Sequence, residues 1–488
     1  MKQKFTEILT RHLFVIRSRL TVHGRLLTVL ILCSISFAQW VTTSIDTLTA
    51  SITRKAITMQ ALAIDDNQTL HAIWTERTGS GINCIFYSHK APDSNWTASE
   101  LVADSTNNDP VLGVEVNSGR VHIAYTRTLS TYPELFYATN QTGNWERIQL
   151  TTNDVYDWSP TIAVKGNQAH IAWITIDSLG EYRIAYGIYS SGSWRKEILY
   201  GSQLGDFGLG AAPYIALEPE GIPHISYRGG NYGDYHIHHA ENPFGDTTWL
   251  YEILYTVNAN DFSSALAAKR NGELFLVASG NDGWGFPFRT CYLHRPANSP
   301  NWEPYQLMTA DASATLRGFA MDSNFVHITW ERVSGNILTE EIYHCSNYLG
   351  HWFNSGIRPD GQTSYGALVI DNCHRGHCLV VSGANIDSQQ VYCLHSAPFT
   401  GLCENKNSKM LKLKHRGSFI IHPPIQLKLS ALGRQGCREV YVYNSCGNLI
   451  ARIPVRKDNT LFVSEHLLPS GIYIGRYQQS VLTFVIVK

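Results

Sequence analysis

The sequence predicts an all-β protein: a seven-bladed β-propeller closed by an N-terminal strand, followed by a small Ig-like β-sandwich. An apolar motif, seen complete in Val121-His122-Ile123-Ala124-Tyr125, returns about every 51 residues, and internal repeats of this length are typical of propellers and solenoids. Each repeat holds four short β-type runs. Only 16% of residues are charged, while Trp (12) and Tyr (25) are abundant, a balance that favours an extracellular β protein.

The repeated motif marks the second strand of each unit. Alternation places its His and Ala on one face and its Ile and Trp on the other, so both faces are expected to be covered. A residue type found in nearly every unit belongs to the scaffold. We therefore expect the His side chains to bond backbone groups. The copies begin at His71, His122, His170, His224, Phe275, His327 and His377.

The other runs complete a four-stranded blade. The first strand is apolar, and the third ends near an aromatic residue, Tyr343 in unit six and Tyr392 in unit seven. We expect the Trp residues that open the fourth strand to pack between blades. They are Trp96, Trp145, Trp194, Trp249, Trp302 and Trp352.

The seventh unit lacks a Trp of its own before residue 400, and Trp40 near the other end of the chain supplies one. We predict that the segment after residue 38 adds the fourth strand of blade seven, which removes the open edges of the array. The propeller then spans residues 39–400. Six or eight blades remain alternatives, because unit five has lost its His.

The first 38 residues are typical of a signal peptide. They carry six Lys or Arg, an apolar run from Leu26 to Phe37 and the small residues of Ser36-Phe37-Ala38. The run is too short to span a bilayer comfortably. We expect cleavage before Gln39, export, and no stable transmembrane segment afterwards; an uncleaved anchor is the alternative.

Nine cysteines follow residue 38, an odd number for an exported chain. Cys373 and Cys378 flank a short turn and are candidates for a disulfide across a hairpin. Free thiols, or a Cys/His metal site in the same six residues, are the alternatives. The spacing matches no standard zinc pattern.

The chain after residue 400 has a different character. Residues 401–416 are polar and Lys-rich, as in a linker, and residues 417–488 form a second β unit. The hairpin Val440–Ile450, the motif Leu468-Pro469-Ser470-Gly471-Ile472-Tyr473 and the final Phe484–Lys488 resemble the C-terminal sorting domain of the bacterial type IX secretion system. The resemblance implies an Ig-like sandwich recognised by the outer-membrane type IX translocon, and a secreted or cell-surface protein. A sandwich without a sorting role is the alternative.

Charge is distributed unevenly along the chain. Residues 39–400 carry a net charge of −15. An acidic body does not favour nucleic acid or another polyanion as the main partner, although a local basic pocket could override this.

Three candidate site residues are acids that precede an aromatic residue at the entrance to the first strand. Asp157-Trp158, Asp206-Phe207 and Asp261-Phe262 belong to consecutive blade junctions, so we expect them side by side near the channel mouth. Carboxylates beside rings suit a sugar site, since the acid takes hydroxyls and the ring stacks. Two such acids could also serve a glycosidase. The alternative is that Asp caps a turn and the aromatic residue fills a gap between blades.

Arg228 and Trp284 complete the ligand-binding candidates, because they lie in two of the long loops, residues 228–235 and 279–289. Four arginines follow second strands, and converging arginines would suit a carboxylate, as in sialidases. They are Arg77, Arg127, Arg228 and Arg332. The chain loosely resembles sialidase-like (BNR-like) repeat proteins, but the Asp-box motif is absent.

No metal site and no cofactor is predicted from the motifs. His236 and His238 share a strand face, yet two imidazoles alone are weak support for a metal. The favoured function is an exported or cell-surface propeller that binds a glycan or a protein on its loop face without catalysis. The alternatives are a secreted glycoside hydrolase or lyase using Asp157, Asp206 and Asp261, and a structural surface component.

Overall fold

The computed structural model describes residues 40–486, apart from gaps, and beyond residue 397 it describes the backbone alone. Residues 1–39, which hold the predicted signal peptide, and residues 399–417, which hold the predicted linker, lie outside the described residues. The remaining gaps are 41, 50–52, 108–109, 115–118, 130, 203, 205–211, 232–233, 257–259, 270–271, 282–287, 298, 309–313, 323–324, 333–340, 348–351, 359–362, 386–387, 422–424, 429–438, 445–448, 455–459, 464–470, 478–479 and 487–488.

All described regular structure is β. The N-terminal strand and the first three blades comprise β1 Thr42–Thr47; blade one, β2 Lys55–Ala56, β3 Leu62–Ile64, β4 Leu70–Arg77, β5 Asn83–Lys90 and β6 Glu100–Ala103; blade two, β7 Val111–Val114, β8 Val121–Thr128, β9 Pro133–Thr139 and β10 Glu146–Gln149; and blade three, β11 Trp158–Lys165, β12 Gln168–Ile176, β13 Tyr182–Ser190 and β14 Ser193–Leu199.

Four further blades follow in the same order. They comprise blade four, β15 Tyr214–Leu217, β16 Pro223–Asn231, β17 Asp234–Glu241 and β18 Leu250–Leu254; blade five, β19 Asn260–Ala268, β20 Leu274–Asn281, β21 Arg289–Arg295 and β22 Gln306–Leu307; blade six, β23 Ala314–Asp322, β24 Phe325–Arg332, β25 Glu341–Ser346 and β26 Phe353–Arg358; and blade seven, β27 Thr363–Ile370, β28 Arg375–Asn385 and β29 Ser388–Pro398.

The seven blades form a propeller. Within each, the strands pair antiparallel in chain order, with β2 and β3 both pairing with β4 in blade one. The first strands of successive blades contact one another, from β3 through β7, β11, β15, β19 and β23 to β27, and β27 contacts β3 again. This cyclic order describes a ring of sheets rather than a linear stack. Blades four and five are additionally joined by a parallel bridge between Tyr235 and Asn260.

The N-terminal strand pairs with the last strand of blade seven. β1 runs antiparallel to β29, with Ile45 opposite Leu394 and Thr47 opposite Tyr392. Trp40 lies just before β1 and is 3% exposed, and its ring lies 5.5 Å from that of His344 in blade six. The closure of the ring by this strand stays a prediction.

Tryptophans at the fourth strands connect neighbouring blades. Four of them pack on a third-strand ring of the preceding blade: Trp145 on Tyr87 at 5.2 Å, Trp249 on Tyr186 at 5.1 Å, Trp302 on His239 at 5.6 Å and Trp352 on Tyr292 at 5.2 Å. Trp194 instead contacts Trp173 of its own blade at 5.8 Å. The indole Nε1 also donates to an acid of that blade, as Trp249 does to Glu197 Oε1 at 3.1 Å. The Trp series therefore fixes the spacing between adjacent sheets, and the contact of Trp40 with His344 repeats its geometry.

The repeated histidines bond side chains, which corrects the expectation of backbone partners. Nδ1 of the second-strand His meets a third-strand Tyr or His, which lies two residues before the register partner in five blades and is the register partner itself in blade seven. The pairs are His71–Tyr87 at 2.8 Å, His122–Tyr137 at 2.5 Å, His170–Tyr186 at 2.6 Å, His224–His239 at 3.1 Å, His327–His344 at 3.0 Å and His377–His395 at 2.7 Å. In the last two blades the partner is therefore not Tyr343 or Tyr392.

The chain beyond residue 417 forms two further sheets. One has the order β30 (Ser418–Ile421), β36 (Ser480–Ile486), β35 (Gly471–Tyr477), β32 (Glu439–Asn444) and β33 (Leu449–Pro454). The other pairs β31 (Ile425–Lys428) with β34 (Thr460–Val463). Among the described residues, no helix is long and apolar enough to cross a lipid bilayer.

The cysteines do not form the predicted hairpin bridge. Cys378 is a buried free thiol, whereas Cys373 belongs to a disulfide. Cys378 and Cys393 lie on adjacent strands but pack into different apolar clusters on opposite faces of blade seven. Burial raises the pKa of both thiols, so they act as small apolar core residues.

We expect Trp40→Ala to lower the free energy of unfolding by about 3–5 kcal/mol, because it empties a buried site between blades six and seven. Urea unfolding monitored by fluorescence measures the change. Trp249→Ala, which removes the same contact between blades three and four, should cost a similar amount. Leu179→Ala, at a side chain 79% exposed, is the control and should shift stability by less than about 0.5 kcal/mol. A Trp40→Ala variant as stable as this control would contradict the packing described here.

Candidate functional site: a pocket between blades three and four

A cavity of about 430 Å³ opens between blades three and four. Its walls come from the β11–β12 turn, the β15–β16 turn, the β17–β18 connection and the outer strands β13 and β14. It lies at the end of the ring that carries the one-to-two turns, opposite the long loops from which a binding face was expected. The volume falls within the range of small-ligand pockets, about 300–1,000 Å³.

His170 on β12 is one of the residues that line this pocket. The residue is 4% exposed, and its Nδ1 meets the hydroxyl of Tyr186 on β13 at 2.6 Å. Its Nε2 is buried and has no hydrogen-bond partner, a costly condition for a polar group. Burial lowers the pKa of His170 to about 4, with further contributions from the charges of Arg195 and Lys165. The ring is therefore neutral near pH 7, and if Tyr186 donates to Nδ1, the single imidazole proton is on Nε2.

Lys165 occupies a position that other blades give to an acid. In blades one, four, six and seven, an acid at the one-to-two turn faces Nε2 of the second-strand His. The distances are Asp65–His71 3.6 Å, Glu218–His224 2.9 Å, Asp322–His327 4.0 Å and Asp371–His377 3.3 Å. In the strand register, Lys165 is opposite Gln168 at its turn, just as Asp322 is opposite Phe325 in blade six. Lys165 and Asp322 therefore occupy equivalent positions. Blade three thus reverses the sign of the charge beside its histidine.

Three cationic side chains line the pocket. Lys165, Arg195 and Lys196 lie there together with His170, and in the described structure no hydrogen bond or ion pair engages Lys165 Nζ or the Arg195 guanidinium. Gly221 lies next to Lys165. Its φ is +99°, and a Cβ there would stand 3.0 Å from Lys165 Nζ, so a side chain would crowd the ammonium.

The rest of the lining offers acids, amides and hydroxyls. Glu197 is engaged by the indole of Trp249 at 3.1 Å, and Asp246 accepts the backbone N–H of Thr248 at 2.6 Å. Asn242 and Thr247 complete this part of the lining. The arrangement can hold an anionic group against the cations and hydroxyl groups against the other polar side chains.

Two of the three predicted acids, Asp157 and Asp261, are buried inside their own blades. Asp157 is 1% exposed and accepts a hydrogen bond from Trp173 Nε1 at 2.8 Å. Asp261 is fully buried and accepts one from the hydroxyl of Thr256 at 2.8 Å. Near Asp157, the pKa of Glu134 is raised by burial and further by the charge of Asp157. The structure thus places both acids within the packing of the first strands.

Two of the predicted ligand-binding residues do lie together. The guanidinium of Arg228, 5% exposed, sits 4.5 Å from the ring centre of Tyr235 and 5.7 Å from that of Phe262. Phe262 also contacts Phe288 at 5.3 Å. Burial lowers the pKa of Arg228. The structure therefore groups Arg228 with aromatic rings of blades four and five rather than with the other three arginines.

Trp158 belongs to a separate aromatic cluster. Its ring makes edge contacts with Tyr156 and Tyr182, both at 5.5 Å. Asp206, Phe207 and Trp284 lie outside the described residues, so their roles stay predictions.

Sequence reasoning missed the pocket because it assigned every repeated His to the scaffold. The signal lay in a departure from the repeat, since Lys165 stands where Asp322 stands in blade six. Reading the repeats against one another position by position would have found it.

Residues suited to metal binding gather in blade four. The one group of three such side chains found among the described residues is His224, His239 and Glu241. The candidates His236 and His238 are not part of it. His236 Nε2 contacts Asp234 at 3.0 Å, and the pKa of His238 is lowered to about 4 by burial and the charge of His236.

No protein-family model and no curated protein sequence matches the chain. Several solved structures are similar to it. Polysaccharide lyase Uly1 is 10% identical, with 70% of this chain and 90% of that chain covered and a TM-score of 0.45. A Dyadobacter fermentans protein of unknown function is 9% identical, with coverages of 72% and 98% and a TM-score of 0.44. Trypanosoma rangeli sialidase bound to sialic acid is 10% identical, with coverages of 62% and 56% and a TM-score of 0.41. These values are too low to carry a functional argument.

We expect the stability of the protein to fall as pH drops below about 6.5, in part through His170. A depressed pKa means that the folded state resists a proton that the unfolded state accepts. His170 therefore makes its full contribution to the free energy of unfolding above its unfolded pKa. This contribution, up to about 3 kcal/mol, is lost as the pH falls toward the folded pKa of about 4.

Urea unfolding near pH 7.5 and near pH 4.5 tests this. The free energy of unfolding should differ between the two pH values, and in His170→Gln this difference should be smaller than in the wild type by up to about 3 kcal/mol. His89→Gln, at an exposed hydrogen-bonding position, is the control and should keep the wild-type difference. An unchanged difference in His170→Gln would show that the ring titrates normally.

Proposed function

We propose that the protein is a ligand-binding propeller whose site is the pocket between blades three and four. The ligand class is a sugar or short glycan that carries a carboxylate. The observation behind the proposal is that His170, whose buried Nε2 has no hydrogen-bond partner, lines the cavity together with the unengaged cations Lys165 and Arg195.

The chemistry of the lining supports this ligand class. An imidazole N–H, a guanidinium and an ammonium all donate, and a carboxylate accepts from each of them. The acids, amide and hydroxyl in the rest of the lining suit sugar hydroxyls. Tyr186 and Ile188 supply apolar surface on which the C–H face of a sugar ring can pack. The net charge of −15 over residues 39–400 makes a long polyanion a poor partner, whereas one carboxylate meets only the local cations.

Binding is favoured over catalysis by the state of the predicted acids. A glycosidase needs two carboxylates that reach the substrate on either side of the scissile bond. Asp157 and Asp261 are both buried and held by donors of the protein. The proposal therefore assigns them to the packing of their blades. Hydrolase or lyase chemistry is the alternative function predicted from the sequence. No observation at Asp157 or Asp261 favours it.

Calorimetry with trigalacturonic acid, and with a neutral galactose trisaccharide as the matched probe, tests the site. The wild-type protein should bind the acidic trisaccharide more tightly, and raising the salt concentration should weaken binding. Lys165→Gln should weaken it by about tenfold or more, because it removes one charge-assisted hydrogen bond.

Lys269→Gln is the control variant. Lys269 lies at the corresponding turn of blade five, where it is paired with Glu273 at 3.4 Å, and its loss should leave binding unchanged. Equal weakening by both variants, or equal affinity for the two trisaccharides, would overturn the proposed ligand class. Hydrolysis or eliminative cleavage of the acidic trisaccharide would instead establish an enzyme.

We infer further that the chain is exported and that residues 417–488 deliver it through an outer-membrane type IX translocon. The inference rests on the basic and apolar character of residues 1–38 and on the sorting-type motifs of the tail. In a host with that secretion system, the full chain should reach the medium or cell surface with Gln39 as its first residue. A chain truncated after residue 416 should remain in the periplasm. Retention of the full chain in the cytoplasm, or equal secretion of both chains, would contradict the delivery role.

A further inference from the structure

We propose that blade four contains a divalent metal site, best suited to Zn²⁺, formed by His224, His239 and Glu241. One ligand atom from each residue lies within 4.8 Å of the other two. His224 Nδ1 is 3.1 Å from His239 Nε2 and 3.4 Å from Glu241 Oε2. Ligands about 2.0 Å from a tetrahedral zinc ion stand about 3.3 Å apart, so these separations fit an ion between the three atoms.

The outward-facing nitrogens of both rings are fixed by carboxylates. His224 Nε2 lies 2.9 Å from Glu218 Oε1, and His239 Nδ1 lies 2.7 Å from Glu252 Oε1. An ionised carboxylate only accepts, so each neutral imidazole must place its single proton on the outer nitrogen. The inner nitrogens then present lone pairs to each other and to Glu241. This is the orientation that carboxylates impose on zinc-ligating histidines.

The net negative charge of the cluster also favours a bound cation. Glu218, Glu241 and Glu252 carry three negative charges, and Arg295 offsets one of them, with its Nη2 2.8 Å from Glu241 Oε2. The two imidazoles between these acids are buried, each 1% exposed, whereas the side chains of Glu218, Glu241 and Glu252 are 11%, 18% and 33% exposed. A divalent ion at the inner nitrogens removes the excess negative charge without placing a proton on either ring. The competing explanation is protonation of the histidines, which the experiment must distinguish.

Blades six and seven show what is particular to blade four. They have the same pair of imidazoles, His327 with His344 at 3.0 Å and His377 with His395 at 2.7 Å. Two residues after the third-strand His, blade four has Glu241, whereas blades six and seven have Ser346 and Ala397. The third ligand is thus an addition to the repeated pair, and among the described residues no other blade supplies such a group of three.

The site would strengthen the connection between two blades. His224 and His239 lie on β16 and β17, while Arg295 and Trp302 come from blade five. Trp302 donates its indole N–H to Glu252 at 2.7 Å. A metal held by blade four would thereby fix the acids to which blade five is bonded. This inference is independent of the pocket at blade three.

The experiment uses the full protein stripped with a chelator and then titrated with ZnCl₂ near pH 7.5. We expect one Zn²⁺ per chain by calorimetry and elemental analysis, and a higher Tm on loading, because the ion binds the folded state. Glu241→Gln should weaken zinc affinity by about tenfold or more, and Glu252→Gln, which leaves the ligands in place, by about 10–100-fold. Co²⁺ in place of zinc should give the visible absorption bands of a tetrahedral site.

The matched control is Glu303→Gln, which alters a carboxylate that contacts His294 in blade five at 2.9 Å and should leave zinc binding unchanged. Absence of zinc binding to the wild-type protein at micromolar concentrations would overturn the site and leave protonation as the explanation. Unchanged affinity in Glu241→Gln would do the same. An anomalous scattering peak between His224, His239 and Glu241 at the zinc edge would establish the site directly.

Discussion

The repeated hydrogen bond between second-strand histidines and third-strand Tyr or His side chains is the constraint on which the rest of the propeller depends. Each of these rings is buried, and a buried donor or acceptor without a partner costs about 1–3 kcal/mol. A slip of one residue between the two strands would move every His to the other face of its blade. The pair therefore fixes strand register in six blades. In blades one, three and four its third-strand member also contacts the fourth-strand Trp of the next blade, as Tyr186 contacts Trp249.

Both proposed sites arise where this scaffold pattern is altered. In blade three the acid beside the histidine is replaced by Lys165, and a cavity adjoins the ring. In blade four the acids are retained and Glu241 is added. The second-strand histidine thus takes part in both proposed sites, the anion site beside Nε2 in blade three and the cation site beside Nδ1 in blade four. A histidine that is structural in most repeats can acquire a ligand by one or two substitutions in the surrounding strands and turns.

The fold could be predicted from the sequence because it depends on residues that recur. The period of the His motif and the series of Trp residues were enough to indicate seven blades. The partners of the histidines could not be predicted, because they depend on strand register. Tyr343 and His344 are adjacent in sequence, but only His344 faces His327. The pocket could not be located either, since its walls come from two blades and its shape depends on how they pack. The buried state of Asp157 likewise depends on Trp173 of the neighbouring strand.

The parallel bridge between Tyr235 and Asn260 turns blades four and five into one continuous sheet. Main-chain hydrogen bonds therefore cross this boundary, and separating the two blades breaks backbone pairing as well as side-chain contacts. Blades seven and one are connected in a similar way, because Thr53, just before β2, and Gln389 of β29 exchange main-chain hydrogen bonds at 3.4 and 3.1 Å. Local opening at these two boundaries must break backbone pairing in addition to side-chain contacts, which raises its free-energy cost.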